Sequence, residues 1–184
     1  MRTEQASDGG RVERPEPKVV VGAAIIQNGR VLACARSAPP EVAGRWEFPG
    51  GKVEPGESET AALLRECAEE LAVRVEIGER VGRSVRMAHG RSVLKVYLAR
   101  LLPGDQPQAL EHSALRWLSA AELDSVTWLP ADAPIVAALR PLLATGDPQR
   151  NRKGNPKTDR AGGVRRRPCH RRCRVQCLSC SGWA

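Results

Sequence analysis

From Lys18 the chain runs KVVVGAAIIQ, a continuous apolar stretch of the kind that forms a buried strand. Asn28-Gly29 follows, the strongest short hairpin signal, and RVLACAR (30–36) returns as a second strand. Residues 37–44, SAPPEVAG, read as a loop, and Arg45–Phe48 as a short strand. The next element is a helix from about Ser58 to Leu71. At about 100° per residue, Thr60, Ala61, Leu64, Cys67, Ala68 and Leu71 fall on one side. Glu66, Glu69 and Glu70 cluster on the other, so the apolar side is expected to meet the core.

Beyond the helix, VRVEIG and Glu79–Ala88 alternate as strands and turn at His89-Gly90. Residues 91–102 form the clearest later strand, 103–108 a loop, and Ala114–Leu118 a short strand. Ser119-Ala-Ala-Glu122 fits a capping box opening a brief helix. Asp132–Ala144 is the last helix, with Pro134 in its first turn. Strands, one central helix, more strands and a final helix suit a mixed sheet between helices; periodicity alone reaches α+β.

Composition divides the chain. Its 184 residues suffice for one domain with a real core, built mostly from Val, Leu, Ile and Ala because aromatics make up only 3%. The formal charge of +8 is unevenly placed: residues 1–144 carry 18 Lys and Arg against 19 Asp and Glu, residues 145–184 carry 11 against 2. The body is therefore no polycation built to coat nucleic acid. Residues 1–17 are expected to be a disordered leader, 18–144 the folded domain, and 145–184 a disordered basic tail. The start lacks the apolar core of a signal peptide and no run reaches a membrane span, so a cytoplasmic protein without membrane partners is expected. Cys34 and Cys67 read as buried reduced thiols. In the tail, Cys169, Cys173, Cys177 and Cys180 with His170 raise zinc, but three residues between the pairs are too few for a folded loop.

The chemistry concentrates in residues 50–73, GGKVEPGESETAALLRECAEELAV. Three glycines and Pro55 make a loop suited to close backbone approach to a ligand. Carboxylates at i, i+3 and i+4 repel on a bare helix, and a hard divalent cation on its way to phosphate oxygens reverses that sign.

The arrangement resembles the Nudix hydrolase signature: Gly, five residues, Glu, seven residues, Arg-Glu, an apolar residue, any residue, Glu-Glu, any residue, Gly, apolar. Gly51, Glu57, Arg65, Glu66, Cys67, Glu69, Glu70 and Val73 match it. The one departure is Ala72 where the pattern has Gly; it removes no ligand, but a left-handed helix end there costs about 1 kcal/mol. The resemblance implies an α/β/α sandwich with a mixed sheet. It also implies a Mg²⁺-dependent (Mn²⁺ as substitute) nucleoside triphosphate pyrophosphohydrolase that cleanses the nucleotide pool of oxidised dGTP or cytidine triphosphates.

The resemblance to MutT-type members extends further. It implies metal ligation by the Gly50 carbonyl, Glu66, Glu69, Glu70 and Glu111, a general base at Glu69 or Glu111, and support from Arg65 pairing with Glu57. It places Arg36, Glu47, Phe48, Pro49 and Asp132 around the base, with Trp46 and Phe48 equally readable as core. Asp132 also suits a plain helix cap. His89 and His112 lack metal-ligand spacing to one another and read as ordinary surface or hydrogen-bonding histidines. The alternative function is a nucleotide sensor that holds nucleic acid weakly through the basic tail; the retained carboxylates weigh against it.

Overall fold

The computed structural model describes residues 16–145. The expected disorder of the leader and tail, the tail's zinc reading and its affinity for nucleic acid lie outside the described residues, apart from Glu16, Pro17 and Thr145.

Six strands and two α-helices form the domain. In chain order they are β1 (Lys18–Gln27), β2 (Arg30–Arg36), β3 (Trp46–Glu47), α1 (Glu59–Leu71), β4 (Val75–Arg86), β5 (Ser92–Leu101), β6 (His112–Leu118) and α2 (Ala133–Ala144). The sheet order is β3-β2-β1-β5-β4, with β6 added alongside β2. β1 runs parallel to β5 from Lys18↔Ser92 to Ile25↔Ala99, and meets β2 only at the hairpin end, Ile26↔Val31 and Gln27↔Arg30. Asn28 and Gly29 take the positive φ angles, 51° and 71°, that this tight turn requires. The mixed sheet flanked by helices agrees with the expected sandwich.

Between its exposed ends, Lys18 and Gln27, β1 is apolar because it is covered on both faces. Val21, Ala23 and Ile25 pack with Leu63, Cys67 and Leu71 of α1, while Ala24 and Ile26 pack with Ile135, Val136 and Leu139 of α2. A strand between two cores has no polar side to show, so period-2 alternation vanishes from its sequence.

The expected orientation of α1 is corrected. Its buried residues are Ala62, Leu63, Cys67 and Leu71, whereas Thr60, Ala61, Leu64 and Ala68 face solvent, Leu64 being 41% exposed. The helix is rolled so that Glu66 and Glu70, both partly buried, border the core. Burying an apolar stripe is not the only demand on this helix; its acids are drawn toward the glycine loop. Both thiols are buried and free, and burial pushes Cys67 up to about 12 and Cys34 higher still, so neither is a nucleophile at neutral pH.

Other boundaries shift modestly. β4 is one strand with two register irregularities, not two strands, and β6 begins at His112 and not at Ala114. The brief helix is a single 3₁₀ turn, Leu123–Ser125, preceded by a partial capping box in which the Ser119 N–H donates to Glu122 Oε2 at 2.9 Å. Ser58 caps α1 by accepting from the Ala61 N–H at 3.1 Å. At the other end Ala72 takes φ 55°, ψ 36°, the left-handed conformation that its alanine resists. Ala72→Gly is expected to stabilise the domain by about 1 kcal/mol, a rise of roughly 4 °C in Tm. Calorimetry checks it, and an unchanged or lower Tm would mean the helix end is unstrained.

Candidate active site

Residues 49–53 continue the sheet as an extended segment beside β1. The Val21 N–H donates to the Gly51 carbonyl (2.8 Å), Ala23 to Pro49 (2.8 Å), and Val53 to Val19 (3.0 Å). Gly50, between the first two, turns the other way and donates its N–H to Glu70 Oε2 at 2.9 Å. It does so at φ 145°, and a Cβ there would lie 2.2 Å from the Val21 carbonyl oxygen, so only glycine fits. At Gly51 a Cβ would stand 2.2 Å from Glu66 Oε1. Gly50 thus lets the loop lie against β1 with its N–H aimed at Glu70, and Gly51 leaves room for the Glu66 carboxylate.

Arg65 ties the rest together. Its guanidinium donates to both oxygens of Glu57 (3.1 and 3.0 Å), to Glu66 Oε1 (2.9 Å), to Glu69 Oε2 (3.2 Å) and to the Lys52 carbonyl (3.2 Å). The Arg65 pairing depresses the Glu57 carboxyl and, reciprocally, Glu57 and Glu66 raise the guanidinium. The first turn of α1 is anchored separately, by Glu59 to Lys95 Nζ at 2.5 Å and to the Tyr97 hydroxyl.

Glu70 is the most strongly desolvated carboxylate of the group. Burial raises its carboxyl well above the ordinary range, Glu66 and Glu47 add to this, and only His112 and the Gly50 N–H oppose it. A half-buried carboxylate beside two others, with one backbone donor, has the electrostatics that a hard cation relieves and the all-oxygen donor set that such cations take. The residues fit a divalent metal in that sense. They are not a ready-made cage: among the described residues no three His, Cys, Asp or Glu side chains converge as metal ligands, Arg65 engaging Glu66 and Glu69 instead. Glu111 is exposed just before β6, its carbonyl accepting from Ser37 Oγ at 2.7 Å.

On the other side of Gly50 lies a second group. Arg36 Nη1 reaches both oxygens of Glu47 at 2.8 Å, so the expected strand-end arginine is paired. Phe48 is buried, its ring 5.1 Å from that of Trp128, and Trp46 lies under the Arg116 guanidinium at 5.8 Å. Asp132, 3% exposed, makes no side-chain cap to α2; its Oδ1 accepts from the Phe48 N–H at 3.3 Å. The simple cap reading therefore fails. Burial, assisted by Glu47, pushes its carboxyl up to about 7. The Arg36–Glu47, Phe48, Pro49 and Asp132 group and the α1 acids share one short segment, 47–51.

Two features escaped the sequence reading. His112 is enclosed, not on the surface, with Nε2 3.5 Å from Glu47 Oε1. Lys18, Lys52, Arg86, His89 and Arg91 line a cleft of about 820 Å³ beside the start of β1. No sequence signal gathers them, since they come from three separated stretches.

Gly51→Ala is expected to displace the Glu66 carboxylate and cost most of the activity, about 10²-fold, while the fold survives, because the displaced atoms end a flexible side chain. Gly50→Ala meets backbone instead and should unfold the loop. Activity assays run beside melting curves separate the two; equal loss of stability in both variants would contradict this.

Comparison with known proteins gives a consistent answer. The NUDIX domain profile matches residues 16–139. A Mycobacterium tuberculosis protein provisionally named 8-oxo-dGTP diphosphatase 2 is 48% identical over 129 residues, 68% of this chain and 90% of that one. The CTP pyrophosphohydrolase of Escherichia coli K12 is 41% identical over 126 residues, 68% of this chain and 93% of its own. Among solved structures, that of the E. coli ORF135 protein superposes with a TM-score of 0.60 at 38% identity, over 71% of this chain and 93% of that one. A glycine loop seating two helix carboxylates, within a profile match over most of the chain, leaves one conclusion: the chain belongs to the NUDIX domain family and is a Nudix hydrolase of the MutT type.

Proposed function

We propose that the protein hydrolyses nucleoside triphosphates to nucleoside monophosphate and pyrophosphate, removing oxidised dGTP or cytidine triphosphates from the nucleotide pool. The observation carrying this is that residues 47–51 join two groups, Glu47, Phe48 and Asp132 on one side and Glu66 and Glu70 against the loop backbone on the other; the first would meet the base and the second the phosphates. The relatives named above include enzymes for both candidate substrates.

Nudix hydrolases use a divalent metal; here Mg²⁺ would be held by Glu66, Glu69, Glu70 and Glu111 with the Gly50 carbonyl, Mn²⁺ substituting. When bound, the ion neutralises charge developing on phosphate oxygens. Glu69 or Glu111, the two exposed carboxylates of the set, takes the proton of the attacking water. Arg65 holds Glu66 and Glu57 in place. Arg36 orients Glu47 toward the base, and the Phe48 ring offers an apolar face to it. The basic cleft at Lys18, Lys52, Arg86 and Arg91 supplies a positive field for a triphosphate.

The test is product analysis with CTP, dCTP, UTP, dGTP and 8-oxo-dGTP in Mg²⁺. Monophosphate and pyrophosphate in equal amounts are expected, abolished by EDTA. Orthophosphate as the first product, or no turnover of any nucleotide, would overturn the reading.

A further inference from the structure

His112 opens β6 opposite Arg36, where the β2–β6 register is irregular. Its side chain keeps only 4% of its surface exposed. Nε2 faces Glu47 Oε1 at 3.5 Å, and Nδ1 has no hydrogen-bond partner among the described residues. Burying an imidazole with one nitrogen unmet is unfavourable, and an apolar ring would fill the same space without that cost. The position is therefore not explained by packing.

The geometry around Glu47 supplies a reason. A single nitrogen, Arg36 Nη1, sits 2.8 Å from both carboxylate oxygens. One donor placed between two acceptors fixes distance but lets the carboxylate rock about it; a two-pronged contact would not. The carboxylate is also next to Phe48 in sequence and repels both Glu70 and Asp132. A second contact on Oε1 stops the rocking, and His112 Nε2 is on that side.

We infer that His112 is a positioning residue: its Nε2 holds the Glu47 carboxylate in the orientation that meets the nucleobase, and so sets base selectivity through Glu47. This rests on the proposed role of Glu47 in base recognition. His112 touches neither reacting atoms nor phosphate in this scheme. Its removal is expected to blur the choice of base more than it slows turnover.

The test uses full-length protein and three variants. His112→Gln places an amide near the Nε2 position, His112→Asn near the Nδ1 position, and His112→Phe keeps bulk with neither. Two readouts apply: the spread of kcat/KM across CTP, UTP, dGTP and 8-oxo-dGTP, and the Kd of the corresponding monophosphates in EDTA. Quenching of Trp128, whose ring packs on Phe48, and of Trp46, bridged to Trp128, reports the second. His112→Gln should keep the wild-type order of bases. His112→Asn and His112→Phe should compress the spread about tenfold in both readouts, through KM more than kcat. An unchanged spread in all three variants would make His112 structural, and rescue by Asn but not Gln would move the working atom to Nδ1; either overturns the inference. If His112→Phe fails to fold, the Gln and Asn pair decides. A wild type that binds monophosphates selectively yet hydrolyses nothing removes the proposed activity but leaves His112 testable by Kd. One that binds none overturns both.

Discussion

Glu70→Gln is expected to lower kcat by at least about 10²-fold, the scale of losing a preorganised electrostatic contact, in a protein that remains folded. The amide oxygen can still accept from the Gly50 N–H, so the loop keeps its 2.9 Å tie to α1. What disappears is negative charge next to Glu66 and Glu47, the charge proposed to draw in Mg²⁺. Metal-free stability should not fall, because burial already makes the ionised carboxyl costly. Saturating Mg²⁺ kinetics, with a melting curve for each protein, make the comparison. Activity within about threefold of wild type, at a common fold, would remove Glu70 from the metal site.

The second large effect is on choice of base. Asp132 sits beside the Phe48 N–H with its carboxyl raised to about 7, against an ordinary 3.8, by burial first and Glu47 next. Ionised, it accepts only, and it would suit the exocyclic amine of cytosine; protonated, it donates, and it would suit the uracil carbonyl. An unmatched polar pair in a closed pocket costs about 1–3 kcal/mol, roughly 10- to 200-fold in specificity. CTP should therefore be preferred to UTP above pH 7, with the preference shrinking as pH falls through 7. Oxidised dGTP competes in either state, because it offers an amine and a carbonyl. Asp132→Asn, whose amide does both tasks, should narrow the CTP-to-UTP ratio and flatten its pH dependence. Stability runs the other way with pH: the folded state holds this proton more tightly than the unfolded chain, so Asp132 contributes stability below about pH 4 that is lost as pH rises through 7. Equal kcat/KM for CTP and UTP, unmoved by pH or by the substitution, would show that Asp132 only secures Phe48.

Strand β1, the Asn28-Gly29 hairpin, the central helix and the last helix were legible from local pattern, because each is specified by residues within one short window. So was the family: the spacing from Gly51 to Val73 is itself a local property, and the profile match to residues 16–139 agrees with it. Even the cost at Ala72 was readable, since handedness depends on one residue's Cβ.

The roll of α1 was not. Helical periodicity put Ala61, Leu64 and Ala68 inward with Cys67 and Leu71; the structure buries Cys67 and Leu71 but turns Ala62 and Leu63 inward in place of the other three. Periodicity counts apolar residues; it does not count the bond from Gly50 to Glu70 or the space left at Gly51 for Glu66, which come from a loop on another strand. His112 was misplaced for the same reason. Its environment is Glu47 and Glu70, each at least 42 positions away in sequence, brought together by β2 pairing with β3 on one edge and β6 on the other. The cap reading of Asp132 fell to a partner 84 positions away. What the sequence by itself determined was the family and the order of elements, both encoded in spacing along the chain. Only the tertiary structure decided which side of the helix is wet, which carboxyls are buried enough to shift and which histidine is enclosed, because burial is a property of everything that surrounds a residue.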